Sequence, residues 1–264
     1  MELVSLGSDP EYILHKRVGT RRAYVASQGI IPGTKRRPHA VTNGHVHRDN
    51  VLMELNPRPA KSEEEFDTNL LSLLEEVKTT YLTPKRLDIT RKTSHLFAER
   101  FIQTPETMEF GCDGDLCAWG VDYLPPMPHV VGKLRSAGGH IHFGLSNFSV
   151  TSLPDLVKLC DLFISVPLVL LDADTFRRRW YGQAGKYRPK SYGFEYRTPS
   201  NCWTFAAENR RWIFRQAQAV VKSNIVIAPA LGSFIQHTIN TSDRDGAEVL
   251  IREFDLEVPN LESK

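Results

Sequence analysis

The sequence has few of the features that mark secreted or membrane proteins. It contains four cysteines in 264 residues, and their spacing matches neither a zinc motif nor a dense disulfide framework. Its most apolar stretch, residues 162–171, is too short to span a bilayer and is typical of a buried helix segment. The first residues carry acids where a secretory signal has basic residues. We therefore expect a cytoplasmic protein with reduced thiols and no membrane partner.

An excess of one charge is also lacking. Lysine and arginine number 33 against 31 aspartate and glutamate, so the overall charge does not indicate a nucleic-acid partner. Basic runs occur at residues 35–37 and 177–179, but short runs of this kind are typical of solvated surfaces. The chain has neither a Walker A loop nor a GxGxxG motif. Any nucleotide would therefore be bound by a different arrangement.

The order of the apolar patterns predicts an α+β protein. The patterns follow one another as strands, helix, strands, helix, strand and helix. This order favours a curved, mostly antiparallel sheet with helices packed on its outer face. Ser62 and Glu65 form a capping-box pattern, and a long helix over residues 152–180 is expected to kink at Pro167. We expect a single catalytic domain over residues 1–255, followed by a C-terminal tail over 256–264.

Polar, metal-competent side chains recur at alternate positions of the predicted strands. Residues two apart on a strand point to the same face. The positions are Asp9 and Glu11 in “SDPEYI”, Glu54 in “LMELNP”, His140 and His142 in “GGHIHFG”, and Glu195 and Arg197 in “GFEYRTP”. Each stretch alone is typical of a solvent-facing strand, and an HxH pattern occurs a second time at His45 and His47. On neighbouring strands, however, the whole set would converge on one concave face.

Such a set favours metal-dependent phosphoryl transfer. Carboxylate oxygens bind Mg²⁺ or Mn²⁺, and an imidazole among them is better tolerated by Mn²⁺. Two such ions would bridge the phosphates of a nucleotide. Arg197, two residues from Glu195, would reach a phosphoryl oxygen with its planar fork. Gly138 and Gly139 would let a ligand approach the backbone closely.

At this level of detail the chain resembles a known family. The stretches “DPE”, “ELN”, “GGHIH” and “FEYR”, in this order, are similar to the metal-binding strands of the glutamine synthetase and glutamate–cysteine ligase superfamily. Within it, “LGSDPEYIL”, “IPGTKRRP”, “FGCDGD” and “RSAGGHIHFG” resemble the phage-encoded carboxylate–amine ligase type 2 family, over about residues 3–205. The resemblance implies the fold of that superfamily's catalytic domain and an ATP-dependent ligase that acts through an acyl phosphate, with ATP and Mg²⁺ (or Mn²⁺).

The resemblance also implies roles for individual residues. It implies metal ligands at Asp9, Glu11, Glu54, His140 and Glu195, and a nucleotide contact at His142. It also implies an arginine on the transferred phosphoryl group at Arg197 and a further phosphate- or substrate-side arginine at Arg188. The pattern has a further acid about seven or eight residues from Glu54, where this chain has His47, so Asp49 is the candidate for that ligand. We place Gly138, Gly139 and Arg135 on the substrate side. The match at “FGCDGD” assigns no role to Asp113 or Asp115.

Three alternatives to the ligase remain open. The HxH pair and the carboxylates would also suit a metal-dependent hydrolase, which has little use for Arg197. A kinase acting on a guanidino group and a non-catalytic nucleotide- or metal-binding protein of the same fold are the others. For the ligase, the partners are a small-molecule or peptide carboxylate and an amine. Assembly into a homo-oligomer is open too, since larger superfamily members form sites between subunits, whereas this chain is long enough to complete its own.

Overall fold

The computed structural model describes residues 1–108, 115–120, 131–172 and 174–263. Its antiparallel sheets and separate helices confirm the predicted α+β class. The strands are β1 (Glu2–Tyr12), β2 (Leu14–Val18), β3 (Arg21–Val25), β4 (His39–Val41), β5 (Gly44–Asp49), β6 (Leu52–Pro57), β7 (Leu87–Ile89), β8 (Ser94–Leu96), β9 (Leu116–Cys117), β10 (Leu134–Ser136), β11 (Gly139–Ser146), β12 (Lys186–Lys190) and β13 (Gly193–Tyr196).

Most of the α-helices lie in the second half of the chain. They are α1 (Glu63–Val77), α2 (Pro105–Met108), α3 (Leu153–Cys160), α4 (Val166–Leu171), α5 (Thr175–Arg178), α6 (Ala207–Lys222), α7 (Pro229–Thr241) and α8 (Arg244–Glu253). Within the described ranges, no helix combines the length and the apolar character needed to cross a bilayer.

An open sheet of eight strands forms the centre of the fold, in the order β4-β5-β6-β1-β11-β13-β12-β9. Its longest strand, β1, pairs with β11 along most of its length and places Asp9 opposite His140. Near its end, β1 pairs with β6 and places Glu11 opposite Glu54. Strand β1 therefore joins the two halves of the sheet and brings residues from distant parts of the chain side by side.

The large sheet has an apolar face and a polar face because side chains alternate along each strand. On the apolar face, Ile141 and Phe143 lie opposite Tyr196 and Phe194. These four side chains are buried in one core cluster with residues of α1, α3 and α6. Phe143 and Phe194 stack with their ring centroids 4.5 Å apart. The intervening residues, such as His142, consequently point to the opposite face.

Local sequence signals set the start of α1. Its N-cap, Ser62, accepts a hydrogen bond from the backbone N–H of Glu65 at 3.2 Å, as the capping-box pattern predicts. The Glu65 carboxylate accepts from the backbone N–H of Lys61 instead of that of Ser62. Acids in the first turn also suit the positive end of the helix dipole. The buried face of α1 includes Phe66, which stacks on Trp203 with ring centroids 5.8 Å apart.

The helix predicted over residues 152–180 ends at Leu171, and its kink at Pro167 stays a prediction. Pro167 lies in the first turn of α4, which continues directly from the preceding helical turn, so its missing N–H leaves a gap in the helical hydrogen bonds. The irregularity comes earlier, as a π-helical turn over Asp161–Ser165 between α3 and α4. In this turn, Asp161 accepts hydrogen bonds from the Tyr196 hydroxyl at 2.5 Å and from the Trp119 indole at 2.6 Å. The wide turn thus joins a buried carboxyl to the apolar face of the sheet.

The segment predicted as a tail is docked on α6. Trp212 of that helix donates its indole N–H to the backbone carbonyl of Glu257 at 3.1 Å. The Asn209 side chain accepts from the backbone N–H of Asn260 at 2.6 Å, and Leu256 is buried. Residues 256–260 therefore add to the helical layer, and the domain boundary at residue 255 stays a prediction.

Asp161 should make the folding stability depend on pH. Its carboxyl is fully buried, and burial raises its pKa to about 7. In the unfolded chain the pKa returns to about 4, so between these values only the folded state keeps the proton. The stability that this group contributes is then complete below about pH 4 and is lost as pH rises to about 7, by up to roughly 4 kcal/mol.

Denaturant unfolding of the wild type and of Asp161→Asn between pH 4 and pH 8 measures this effect. Asparagine keeps the shape of the side chain but does not ionise. We expect the free energy of unfolding of the wild type to fall relative to the variant by a few kcal/mol across this range. Parallel curves for the two proteins would show that Asp161 is ionised in the folded state throughout.

Candidate functional site

The polar face of the large sheet brings together the residues predicted from the sequence. Two groups of three side chains have ligand atoms within 4.8 Å of one another. The first cluster consists of Glu11, Asp49 and Glu54, and the second cluster consists of Asp9, His142 and Glu195. Their strands are neighbours in the sheet, and the side chains alternate with residues of the core on the other face.

Glu11 is held at the centre of the first cluster by its backbone surroundings. Its carboxylate accepts a hydrogen bond from the backbone N–H of Gly138 at 2.7 Å. Its carbonyl oxygen accepts from the Asn201 side chain at 2.6 Å. Burial raises the pKa of Glu11 well above its ordinary value, and the nearby Asp49 and Glu54 carboxylates raise it further. The hydrogen bond from Gly138 therefore stabilises the ionised form of Glu11 too little to offset burial and the neighbouring acids.

Glu54 is also a buried acid with a raised pKa, chiefly because of burial. Its Oε1 accepts a hydrogen bond from the Asn56 side chain at 3.0 Å and lies 3.4 Å from Nε2 of His47. Asp49 is less buried, and Lys35 donates to its carboxylate at 3.0 Å. The structure thus brings the predicted candidate Asp49 next to Glu11 and Glu54, although its role as a ligand stays a prediction.

The second cluster is dominated by contacts between acids and imidazoles. The Oδ1 of Asp9 lies 3.1 Å from Nδ1 of His140, and its Oδ2 lies 3.2 Å from Nε2 of His142. Burial opposes ionisation of Asp9, but His142 and His140 outweigh it and hold its pKa well below the ordinary value. For Glu195, burial and Asp9 oppose ionisation, while Arg197 and the two histidines lower the pKa to about 2. Both carboxyls are therefore ionised at neutral pH.

The two histidines of “GGHIHFG” have different surroundings. Nδ1 of His142 and the Tyr192 hydroxyl are joined by a hydrogen bond of 2.6 Å, which directs Nε2 towards Asp9. Nε2 of His140 instead hydrogen-bonds the Tyr181 hydroxyl at 3.2 Å, and its Nδ1 lies 3.7 Å from Glu195. The sequence predicts His140 as the metal ligand and His142 as the nucleotide contact. Both imidazoles face Asp9, so the predicted roles of His140 and His142 stay predictions.

Three cations surround Glu195. The ammonium of Lys190 lies 2.8 Å from its Oε2, and Arg188 lies 3.6 Å from the same oxygen. Arg197 forms an ion pair with Oε1. Arg188 is directly opposite Glu195 in the pairing of β12 with β13, so the sheet register sets part of this arrangement. The predicted arginines therefore meet at one end of the polar face.

Asp115 connects the two predicted arginines. Its carboxylate accepts hydrogen bonds from Arg188 at 2.9 Å and from Arg197 at 3.0 Å. This residue belongs to “FGCDGD”, whose role could not be assigned from the sequence, and the other acid of that stretch, Asp113, lies outside the described residues. A carboxylate thus occupies the space between two guanidinium groups.

Glycines at positions 138 and 139 are required by packing. A Cβ on Gly138 would lie 2.4 Å from the His140 imidazole. A Cβ on Gly139 would lie 2.4 Å from the Ser200 carbonyl oxygen. The space beside these glycines is therefore filled by the protein, and their predicted substrate-binding role stays a prediction.

Arg135 is tied into the protein framework. Its guanidinium donates to Asn50 Oδ1 at 2.9 Å and to the carbonyls of Gly132, Leu134 and Thr107. Burial lowers its pKa to about 10. These contacts hold β10 against neighbouring segments, and the predicted substrate contact of Arg135 stays a prediction as well.

Some site residues were not predicted from the sequence. Lys190 was detectable, because it is two positions after Arg188 and shares its face of β12. Tyr192 had no such signal, since it lies between β12 and β13, where Leu145 donates its backbone N–H to the Tyr192 carbonyl at 2.8 Å. Tyr181, which accepts a hydrogen bond from Arg197 at 2.8 Å, lies outside the strands altogether.

The donor sets of both clusters fit divalent cations. Carboxylate oxygens with one imidazole are suitable ligands for Mg²⁺ or Mn²⁺. Nε2 of His142 is buried and makes no hydrogen bond within the described part of the chain. In the first cluster, Glu11 and Glu54 are buried acids that repel each other. A cation would satisfy the imidazole nitrogen in one cluster and offset the repulsion in the other.

Comparison with known families gives a match over part of the chain. Residues 132–236 match the family model described as phage phiEco32-like COOH.NH2 ligase-type 2. The match bears out the predicted resemblance to this family over that segment. The matched segment includes β11, β12 and β13, and with them His142, Glu195 and Arg197, whereas the strands of the first cluster that carry Glu11 and Glu54 precede it. The family description indicates a carboxylate–amine ligase. No curated protein matches the chain.

Replacing Glu54 by glutamine should not lower the unfolding temperature of the metal-free protein, but it should reduce the stabilisation by a divalent cation. In chelated protein, Glu54→Gln removes a buried acid beside Glu11, so the unfolding temperature should stay unchanged or rise. With Mn²⁺ added, the wild type should gain stability as RT ln(1 + [Mn²⁺]/Kd), while the variant gains less.

Thermal unfolding in EDTA and in millimolar MnCl2 checks this prediction. The control is Glu75→Gln, which makes the same chemical change at an exposed position of α1 and should keep the full gain from Mn²⁺. An equal gain in Glu54→Gln would exclude Glu54 as a metal ligand.

Proposed function

We propose that this protein is an ATP-dependent carboxylate–amine ligase that forms an amide or peptide-like bond through an acyl phosphate. The observation that carries the proposal is the separation of charge along one sheet face. Two carboxylate-containing clusters occupy β1, β5, β6, β11 and β13, and three cations converge on Glu195 from β12 and the end of β13. This arrangement suits a substrate whose phosphate groups bind divalent metal ions.

The cationic end of the face would bind the phosphate groups. Arg188, Lys190 and Arg197 now contact the carboxylates of Glu195 and Asp115. Guanidinium groups form the same paired hydrogen bonds with phosphates as with carboxylates. The phosphates of ATP would therefore compete for these donors. Arg197 is 3% exposed, so its interaction with a phosphoryl oxygen would be little screened by water.

The acidic end would hold divalent cations beside those phosphates. Glu11, Asp49 and Glu54 would provide one site, and Asp9, His142 and Glu195 the other. When bound, such ions neutralise the charge of the phosphates and of a substrate carboxylate, which would otherwise repel each other. The protein's own contribution is to keep both sets of ligands on adjacent strands at fixed register.

The chemistry follows from the low reactivity of a carboxylate. Transfer of the γ-phosphoryl group to a carboxylate oxygen gives a mixed anhydride and ADP. The amine nitrogen then attacks the carbonyl carbon, the new C–N bond forms, and the C–O bond to phosphate breaks with its electron pair. The nitrogen loses a proton, and phosphate leaves. Arg197 and Arg188 would orient the transferred group during the first step and stabilise its charge.

A screen of amino acids and short peptides in pairs tests the proposal. Purified protein is incubated with ATP, Mg²⁺ or Mn²⁺ and each pair, and phosphate release and product masses are measured. We expect equal amounts of ADP and phosphate, with a product equal in mass to both substrates less water. Cleavage of an amide without ATP would instead support the hydrolase. Absence of metal-dependent nucleotide binding would contradict both the ligase and the alternative kinase that acts on a guanidino group.

Loss of Arg197 should separate metal binding from turnover. Arg197→Ala leaves the carboxylates of both clusters in place, so the rise in unfolding temperature with Mn²⁺ should persist. Turnover should fall by about 10²-fold or more, as expected when one donor to a developing charge is removed.

Nucleotide-dependent phosphate release and thermal unfolding are measured on the same samples. Arg211→Ala is the matched control, because Arg211 is a half-buried residue of α6 that contacts Asp67, away from both clusters. It should keep full turnover. Full activity in Arg197→Ala would exclude the phosphoryl role.

A further inference from the structure

His47 is a buried imidazole next to the first cluster. It lies directly opposite Glu54 in the pairing of β5 with β6, and it is 3% exposed. Neither of its ring nitrogens makes a hydrogen bond within the part of the chain that the structure describes. A buried imidazole in this state loses the hydration of both nitrogens without replacement. The structure therefore places an imidazole whose nitrogens make no hydrogen bond to any described residue at the edge of the first cluster.

Of the two ring nitrogens of His47, Nε2 lies close to Glu54. Nε2 of His47 lies 3.4 Å from Oε1 of Glu54, which is long for a hydrogen bond between nitrogen and oxygen. The same Oε1 already accepts from Asn56 at 3.0 Å. An ion bound by Glu54 would thus lie within reach of the imidazole after a small shift of the side chains.

The second cluster shows the same arrangement. There, Nε2 of His142 is also buried without a hydrogen bond to any described residue, 3.2 Å from a carboxylate oxygen of Asp9. Each acidic cluster is thus accompanied by one imidazole whose Nε2 faces a carboxylate at non-hydrogen-bonding geometry.

We propose that His47 is a nitrogen ligand of the first cluster and that it makes this site select Mn²⁺ over Mg²⁺. The inference rests on the proposed metal sites of the ligase and adds the identity of the metal. Mg²⁺ strongly prefers oxygen ligands and dehydrates reluctantly, whereas Mn²⁺ accepts an imidazole among carboxylates more readily. Glu11, Asp49 and Glu54 supply the oxygens, and His47 supplies the nitrogen.

Replacing His47 by glutamate tests this selectivity. His47→Glu converts the mixed site into an all-oxygen site, so its preference for Mn²⁺ over Mg²⁺ should fall by about tenfold or more, the scale on which changes around metal ligands act. Titration calorimetry of chelator-treated protein gives both affinities without any need for turnover. The first cluster is identified as the binding event that Glu54→Gln removes.

The chain offers a matched control in its second HxH pattern. His45 precedes His47 by two residues on the same strand, opposite Asn56, but is exposed. His45→Glu introduces the same charge at nearly the same place and should leave the Mn²⁺ preference unchanged. His47→Gln, which adds no charge, covers the case in which His47→Glu does not fold. It should weaken Mn²⁺ binding about tenfold and Mg²⁺ binding much less.

The outcomes separate this inference from the proposed function. If the wild type binds neither metal at the first cluster, the metal part of the proposed function fails. If it binds both metals and His47→Glu or His47→Gln changes the two affinities in equal proportion, His47 only orients Glu54 and the inference is overturned. An altered preference in His45→Glu would also overturn it, because charge alone would then explain the effect.

Discussion

The double pairing of β1 is the constraint on which the site depends. One strand pairs with β11 and with β6, and this places Asp9 opposite His140 and Glu11 opposite Glu54. A shift of one residue in either pairing would turn the acids of β1 away from their partners and towards the helices. The apolar side chains of the other face prevent such a shift, since Leu6 and Tyr12 of β1 are fully buried. Packing of the core therefore fixes the geometry of the polar face.

Burial gives the polar face its chemistry. Glu11 and Glu54 of the first cluster have raised pKa values because burial and neighbouring carboxylates oppose their ionisation. Asp9 and Glu195 have lowered pKa values because imidazoles and Arg197 outweigh the same burial. The pKa values of Glu11 and Glu54 are thus shifted in the opposite direction from those of Asp9 and Glu195, although all four residues share a sheet face. This difference is consistent with cations at both clusters and phosphate groups at the end nearest Arg188 and Arg197.

Asp115 and Tyr192 show why part of the site escaped prediction. Asp115 reaches Arg188 and Arg197 from the position just before β9, the short edge strand that pairs with β12. Nothing in the local sequence indicates this placement. Tyr192 contacts His142 because the turn between β12 and β13 projects it there. In both cases the contact is made by a residue far away in sequence, and alternation along a single strand carries no information about it.

The sequence by itself determined which residues could share a face. Alternation places Asp9 with Glu11, His140 with His142, and Glu195 with Arg197, and the apolar residues between them require one buried face. It also indicated the α+β class and the family of the segment 132–236. Only the tertiary structure decided which imidazole joins which carboxylates. Cross-strand register depends on the packing of the entire core, and it placed His142 in the second cluster and His47 beside Glu54.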